Sequence, residues 1–314
     1  MKQLVLISAL ALSISACATT NSDRDKSHSA SRVPATQGEA REAASKIAEE
    51  CGESVEGLAF KYCITRANSN SNTDVLYFLH IGNGNEHQWK QDLSDVQSEL
   101  AKTSAQPPVV ITVSFGPFWL LVEKNKTPKS GLLEVFRDQI MPKMEMLALG
   151  RQAQRRLLMG ASMGGFNSAA LLLKLPPKTF DRVVIACPAL LDLSPWASEA
   201  DTAAFIQRLN VHPKTVENMS KIAKMFVADE KTWKEKVNPL DLIAKRESTP
   251  IELPPLLVAG NKDDRNFFEG ASIFAQKATE RAKGTKAVVN WKSWPGGHCQ
   301  LDAAATAGFL TAVD

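Results

Sequence analysis

Histidine is scarce in this chain: five occur in 314 residues, His28, His80, His87, His212 and His298. The five cysteines contain no Cys-x-x-Cys pair, so no spacing of the kind that builds a structural zinc site is present, and no metal ligand is expected among them. Charge of one sign is lacking too. The 37 Lys and Arg residues nearly balance 34 Asp and Glu for a formal charge of +3. They are dispersed, with no basic stripe interleaved with aromatics, which argues against nucleic acid as a partner. No internal repeat is visible, and the apolar run Leu4 to Ala16 is too short to span a bilayer as a mature helix. What remains is ordinary globular composition, 44% hydrophobic and 23% charged, in a chain long enough to bury a substantial core.

The N-terminal segment reads as a processed leader. A positive Met1-Lys2 precedes the apolar run, which ends in Ile14-Ser15-Ala16-Cys17, a sequence that resembles a bacterial lipobox. Residues 1–16 are then a signal peptide, and Cys17 becomes the acylated residue through which the protein meets a membrane. Residues 17–38 carry almost no large apolar side chain and read as a flexible tether. The expected location is the bacterial cell envelope, with Ala18 pointing to the outer membrane. A short amphipathic helix is expected from Gly38 to Glu50, and residues 39–314 form the folded domain. With Cys17 lipidated, four cysteines remain. In an oxidising compartment they permit two disulfides in three pairings, with Cys51–Cys63 the local one and Cys187–Cys299 a candidate for fixing the His298 loop.

Apolar runs alternate with helical patterns across this domain. Strands are expected at 55–65, 75–80, 108–115, 155–161, 182–187, 255–260 and 286–292. Helices are expected at 86–102, 130–149, 163–175, 268–283 and 300–311. The alternation predicts an α/β fold with a doubly wound, mostly parallel sheet, its functional groups at the C-terminal strand ends. Residues 192–250 form a long insertion between two strands, with an amphipathic helical pattern that predicts a cap.

Gly160-Ala161-Ser162-Met163-Gly164 sits between the apolar run Leu157-Leu158-Met159 and the helical run from Phe166. Strand, sharp turn, helix is the context of a nucleophile elbow. The turn projects the Ser162 hydroxyl from the sheet edge, and the Met163 amide, at a helix N-terminus, can donate to an oxyanion. A serine is a weak nucleophile without a base. Only His212 and His298 follow it; His212 lies in a polar stretch, whereas His298 lies in the loop Trp294-Pro295-Gly296-Gly297-His298 after a strand-like run. His298 is therefore the expected base. The acid should follow Leu256-Leu257-Val258-Ala259, where Gly260-Asn261-Lys262-Asp263-Asp264 offers two adjacent carboxylates. The Gly-x-x-Asp spacing favours Asp263, leaving Asp264 to cap the helix near Phe267.

These segments, with Tyr77-Phe78-Leu79-His80, Gly82, Gly84, Asn85 and Glu86, and with Phe268-Glu269-Gly270 and Gly297-His298-Cys299, resemble the esterase D/feruloyl esterase-like family of alpha/beta hydrolases. The resemblance covers roughly residues 55–310. It implies that fold, hydrolysis of a small-molecule or polysaccharide-linked carboxylic ester, no cofactor, and the triad Ser162, Asp263 and His298. The family's His-Gly-x-Gly-Gly run departs here to His80-Ile81-Gly82-Asn83-Gly84, which makes Gly82 the expected second oxyanion donor. His80 itself reads as an anchor for its own loop. Phe115, Phe118 and Trp119, after a central strand, are expected to line the substrate pocket.

Overall fold

The central strands of the sheet are short apolar runs with alternating destinations. In the computed structural model, which describes residues 48–54, 59–67, 72–245 and 251–313, eight strands form one sheet in the order β1-β2-β4-β3-β5-β6-β7-β8. They are β1 (Ala48–Ser54), β2 (Phe60–Arg66), β3 (Val75–Leu79), β4 (Val109–Ser114), β5 (Arg156–Ala161), β6 (Arg182–Ala186), β7 (Leu256–Asn261) and β8 (Val289–Trp294). β1 pairs antiparallel with β2, and β2 with β4, while every other pairing is parallel. The signal, Cys17 and tether expectations, and the helix expected over residues 38–47, lie outside the described residues.

Alternation along the central strands sends side chains to two separate cores. Tyr77, Leu79, Ile111, Val113, Leu158, Val183, Ile185 and Val258 enter one. Their neighbours Leu76, Phe78, Val110, Leu157, Met159, Val184 and Leu257 enter the other. A parallel strand buried on both faces therefore reads as a continuous apolar run. The first face is covered by α3 (Leu132–Val135), a π-helical turn (Phe136–Ile140) and α4 (Met141–Leu149), with α5 (Met163–Lys174) and α10 (Phe268–Ala282) beside them. The second face is covered by α1 (Gln88–Asp92), α2 (Ser94–Thr103) and α11 (Ala303–Thr311). Between β6 and β7 lie α6 (Glu199–Leu209), α7 (Pro213–Phe226), α8 (Glu230–Thr232), a second π-helical turn (Trp233–Val237) and α9 (Pro239–Ala244). Among the described residues no helix is long and apolar enough to cross a membrane.

Two expectations fail at the sheet's first edge. Residues 48–50 are strand rather than helix, and the single strand expected over 55–65 is the second arm of a hairpin. The sequence of β1, Ala-Glu-Glu-Cys-Gly-Glu-Ser, has helix-forming residues and little apolar surface because it is an outer strand facing solvent. Tertiary pairing overrides that propensity: Cys51 lies directly opposite Cys63 and is bonded to it, with their Cα atoms 4.1 Å apart. The second disulfide joins Cys187, just after β6, to Cys299, across a Cα separation of 5.3 Å. Both pairs are those considered from the sequence.

Candidate active site

The turn from β5 into α5 places Ser162 where ordinary backbone would not. Its φ of 53° and ψ of −114° are sparsely populated for a residue with a side chain. Neighbouring strand ends hold it there: Ser162 N–H donates to the Ala186 carbonyl at 3.0 Å, and the Ser162 carbonyl accepts from Ala189 N–H at 2.9 Å. The flanking glycines are steric necessities. A Cβ at Gly160 would collide with the Gly164 carbonyl, and one at Gly164 would collide with the carbonyl of Leu79 on the neighbouring strand.

His298, in the loop after β8, lies within hydrogen-bonding reach of both partners that general base catalysis needs. Its Nε2 is 2.8 Å from Ser162 Oγ and its Nδ1 is 2.6 Å from Asp264 Oδ2. A carboxylate can only accept, so Nδ1 carries the proton and Nε2 is left to accept from the serine hydroxyl. The acid facing the imidazole is thus Asp264, not Asp263. The reason is the turn that closes β7, in which Asp264 N–H donates to the Asn261 carbonyl at 3.0 Å and brings the Asp264 side chain back over the sheet edge. Asp264 is buried, while Asp263 points outward and accepts from Gly296 N–H at 3.0 Å, bracing the histidine loop. The helix capping expected of Asp264 does not form: its Oδ1 accepts from the amides of Asn266 at 3.0 Å and Phe267 at 3.3 Å, which precede the helix, and the N-cap Phe267 makes no side-chain cap bond. One carboxylate oxygen holds this turn while the other faces His298, which spacing alone does not reveal.

A cavity of about 160 Å³ opens beside Ser162 and is lined by Met163 and Gly82 as well. In the loop after β3, Ile81 N–H donates to Gln88 Oε1 at 2.9 Å and Asn83 N–H to the Pro117 carbonyl at 2.8 Å. Both flanking amides are therefore engaged elsewhere, while Gly82 itself lines the cavity. His80 anchors the same loop from beneath. It is fully buried, its Nδ1 sits 2.7 Å from the Ile81 carbonyl, and the Trp119 indole N–H donates to its Nε2 at 2.9 Å. Burial lowers its pKa from 6.5 to about 4, so the ring is neutral and an acceptor at Nε2.

Of the three aromatics expected at the pocket, only Phe118 lines this cavity. Trp119 is buried in the core through its contact with His80, and Phe115 lines a neighbouring cavity of about 460 Å³. The alternation of the chain explains the split: Asn167 on α5 accepts from Leu121 N–H at 2.7 Å and donates to the Trp119 carbonyl at 3.1 Å, clamping the loop with Phe118 outward and Trp119 inward. The opposite wall comes from α7, which presents Thr215, Asn218, Met219 and Ile222. The amphipathic helical pattern expected across residues 192–250 pointed to helices in this insertion but not to which side chains would meet the site.

No family model matches the sequence, and no curated protein matches it significantly. Solved structures do. The chain is similar to a ferulic acid esterase (14% identity, TM-score 0.58, covering 84% of this chain and 96% of that one). It is also similar to an S-formylglutathione hydrolase from Agrobacterium tumefaciens (13%, 0.58, 84% and 92%). A third likeness is to a thermostable esterase from Pseudomonas putida (17%, 0.57, 88% and 90%). The sheet order, the helices on both of its faces and these likenesses establish that the chain has the alpha/beta-hydrolase fold.

Proposed function

We propose that this chain is a serine hydrolase of carboxylic esters with a small acyl group. The observation that carries the reading is His298 bridging Ser162 and Asp264 at hydrogen-bond distances beside a cavity. The fold-level likeness to esterases adds support of a weaker kind, because one fold hosts many chemistries. Ser162 Oγ attacks the ester carbonyl as His298 Nε2 takes its proton. The imidazolium is stabilised by Asp264, and the oxyanion accepts from the Met163 and Gly82 amides. His298 returns the proton to the departing alcohol. Water, activated by the same imidazole, then frees the acid and restores Ser162. Losing one oxyanion donor should raise the barrier by about 3 kcal/mol.

The cavity, about 160 Å³, is smaller than the roughly 300–1,000 Å³ of pockets for drug-sized ligands, which favours short acyl groups. The insertion between β6 and β7 acts as a cap in this reading, since α7 supplies one wall of the cavity. The lipobox-like Ile14-Ser15-Ala16-Cys17 and the two disulfides support a lipid-anchored enzyme of the cell envelope. A fluorophosphonate probe and a series of p-nitrophenyl esters, applied to the full chain and to Ser162→Ala, test the chemistry. Labelling and a hydrolytic burst that vanish in the variant are expected, with acetate or propionate preferred. A folded wild-type protein that neither labels nor hydrolyses any ester would overturn the reading. Products formed with an added alcohol would separate acyl transfer from hydrolysis.

A further inference from the structure

Four potential ligands converge at the first edge of the sheet, far from Ser162 in sequence and unused by the chemistry above. Glu49 and Cys51 lie two residues apart on β1 and so share a face; Cys63 faces Cys51 from β2; His87 precedes α1. We propose that, once the Cys51–Cys63 bond is reduced, Glu49, Cys51, Cys63 and His87 form a tetrahedral site for a zinc-type divalent ion.

The distances support this. A tetrahedral centre with Zn–S of about 2.3 Å and Zn–N and Zn–O of about 2.1 Å places sulfur about 3.6 Å from nitrogen, nitrogen about 3.4 Å from oxygen, and the two sulfurs about 3.8 Å apart. Here His87 Nδ1 lies 3.6 Å from Cys51 Sγ and 3.4 Å from Cys63 Sγ. It lies 3.4 Å from Glu49 Oε2. Only the sulfur pair, now bonded, must part. Two further features belong to such a site. The other oxygen of Glu49, Oε1, is buried and lacks a hydrogen-bond partner among the described residues, although Lys90 Nζ lies 3.9 Å from Oε2; a ligand at Oε1 would satisfy it. On the far side of the ring Glu86 Oε1 lies 3.6 Å from His87 Nε2, beyond a hydrogen bond, a nearby negative charge that favours a proton on Nε2 and leaves Nδ1 to ligate.

The chemistry balances. A dithiol reductant passes two electrons and two protons to the Cys51–Cys63 bond and itself closes to a disulfide. The ion then binds both sulfurs as thiolates, His87 Nδ1 and a Glu49 oxygen, and the two thiol protons leave to solvent. Oxidation reverses the sequence and expels the ion. The site would fasten the β1–β2 hairpin to the loop that carries Gly82.

The full-length chain, reduced with a dithiol and then freed of it without oxygen, is titrated with Zn²⁺ alone and, separately, with Co²⁺ as a spectroscopic stand-in. Its cysteines are then alkylated and mapped. Expected are one tightly bound Zn²⁺, sulfur-to-cobalt charge-transfer absorption, and protection of Cys51 and Cys63 but not of Cys187 and Cys299. The oxidised chain should take up none at this edge. Equal alkylation of Cys51 and Cys63 with and without Zn²⁺ would overturn the proposal, as would protection confined to Cys187 and Cys299. Undiminished uptake by a folded Cys51→Ser/Cys63→Ser variant would do the same. Because alkylation is read on the unmodified sequence, a variant that fails to fold leaves the decision intact.

Discussion

Replacing Asp264 by asparagine, which keeps its shape, should remove most of the activity by reversing a single tautomer. Asp264 Oδ1 accepts from the amides of Asn266 and Phe267, at 3.0 and 3.3 Å. In Asp264→Asn those two donors keep the side-chain oxygen, so the new NH₂ group must face His298 Nδ1, now 2.6 Å from the carboxylate. Nδ1 is then forced to accept, the ring proton moves to Nε2, and Nε2–H faces Ser162 Oγ with nothing left to take the serine proton. The loss of the correct tautomer in a serine triad is on the order of 10⁴-fold in kcat, about 5 kcal/mol in the barrier. Asp263→Asn should behave differently. Its oxygen still accepts from Gly296 N–H, so kcat should fall less than threefold. The assay is p-nitrophenyl acetate hydrolysis under saturation, with a thermal melt showing that each variant is folded. Near-normal turnover by Asp264→Asn beside a collapse in Asp263→Asn would refute this assignment.

Three further outcomes follow from the same geometry. His80 has its pKa lowered by burial from 6.5 to about 4. A depressed histidine contributes stability that is fully present above about pH 6.5 and is lost as pH falls toward 4, for a total of about 3 kcal/mol. Urea unfolding at pH 7 and pH 4 should therefore show a steeper decline in the wild type than in His80→Asn, and parallel declines would contradict the assignment. Gly164→Ala drives a methyl into the Leu79 carbonyl, so the variant should fail to accumulate as folded protein, or should melt far below the wild type. A normal melt would show that β3 and α5 can separate. The Cys187–Cys299 bond spans 112 residues, for which the chain-entropy model gives a stabilisation of about 5 kcal/mol. A Cys187→Ser/Cys299→Ser variant should lose about 2–5 kcal/mol by urea unfolding; an unchanged midpoint would assign the bond no stabilising role.

The parts of the fold that were legible in the sequence are those where one local pattern has one physical cause. β3, β5, β6 and β7 read as apolar runs because helices cover both their faces. Gly160 and Gly164 announced the elbow because each touches backbone where no Cβ fits. What escaped was decided by contacts distant in sequence. β1 looks helical until β2 lies beside it, and Trp119 looks like a pocket aromatic until its indole meets His80, 39 residues earlier. Asp263 and Asp264 differ only in which way a turn throws them. The convergence of Glu49, Cys51, Cys63 and His87 is equally hidden, since no two of the four stand at the close spacing of a familiar metal motif.

Part of the backbone strain among the described residues lies where the candidate chemistry is, with Lys178 and Asn210 strained elsewhere. Ser162, Cys187 and Cys299 all have positive φ, at 53°, 41° and 62°, and none is a glycine. Each such residue costs on the order of 1–3 kcal/mol and persists only if its surroundings over-determine it. Here the surroundings are shared. Ser162 is held by the carbonyl of Ala186, the last residue of β6; Cys187 comes next and donates its N–H to the Ala259 carbonyl of β7 at 2.7 Å. The disulfide then carries the chain of constraints to Cys299, the residue after His298. Ser162 and His298, the nucleophile and base of the proposed chemistry, are thus tied through neighbouring strand residues and one covalent bond rather than through the 2.8 Å hydrogen bond alone. A site built this way keeps its serine and histidine in register without substrate, so the energy of binding an ester need not be used to assemble them.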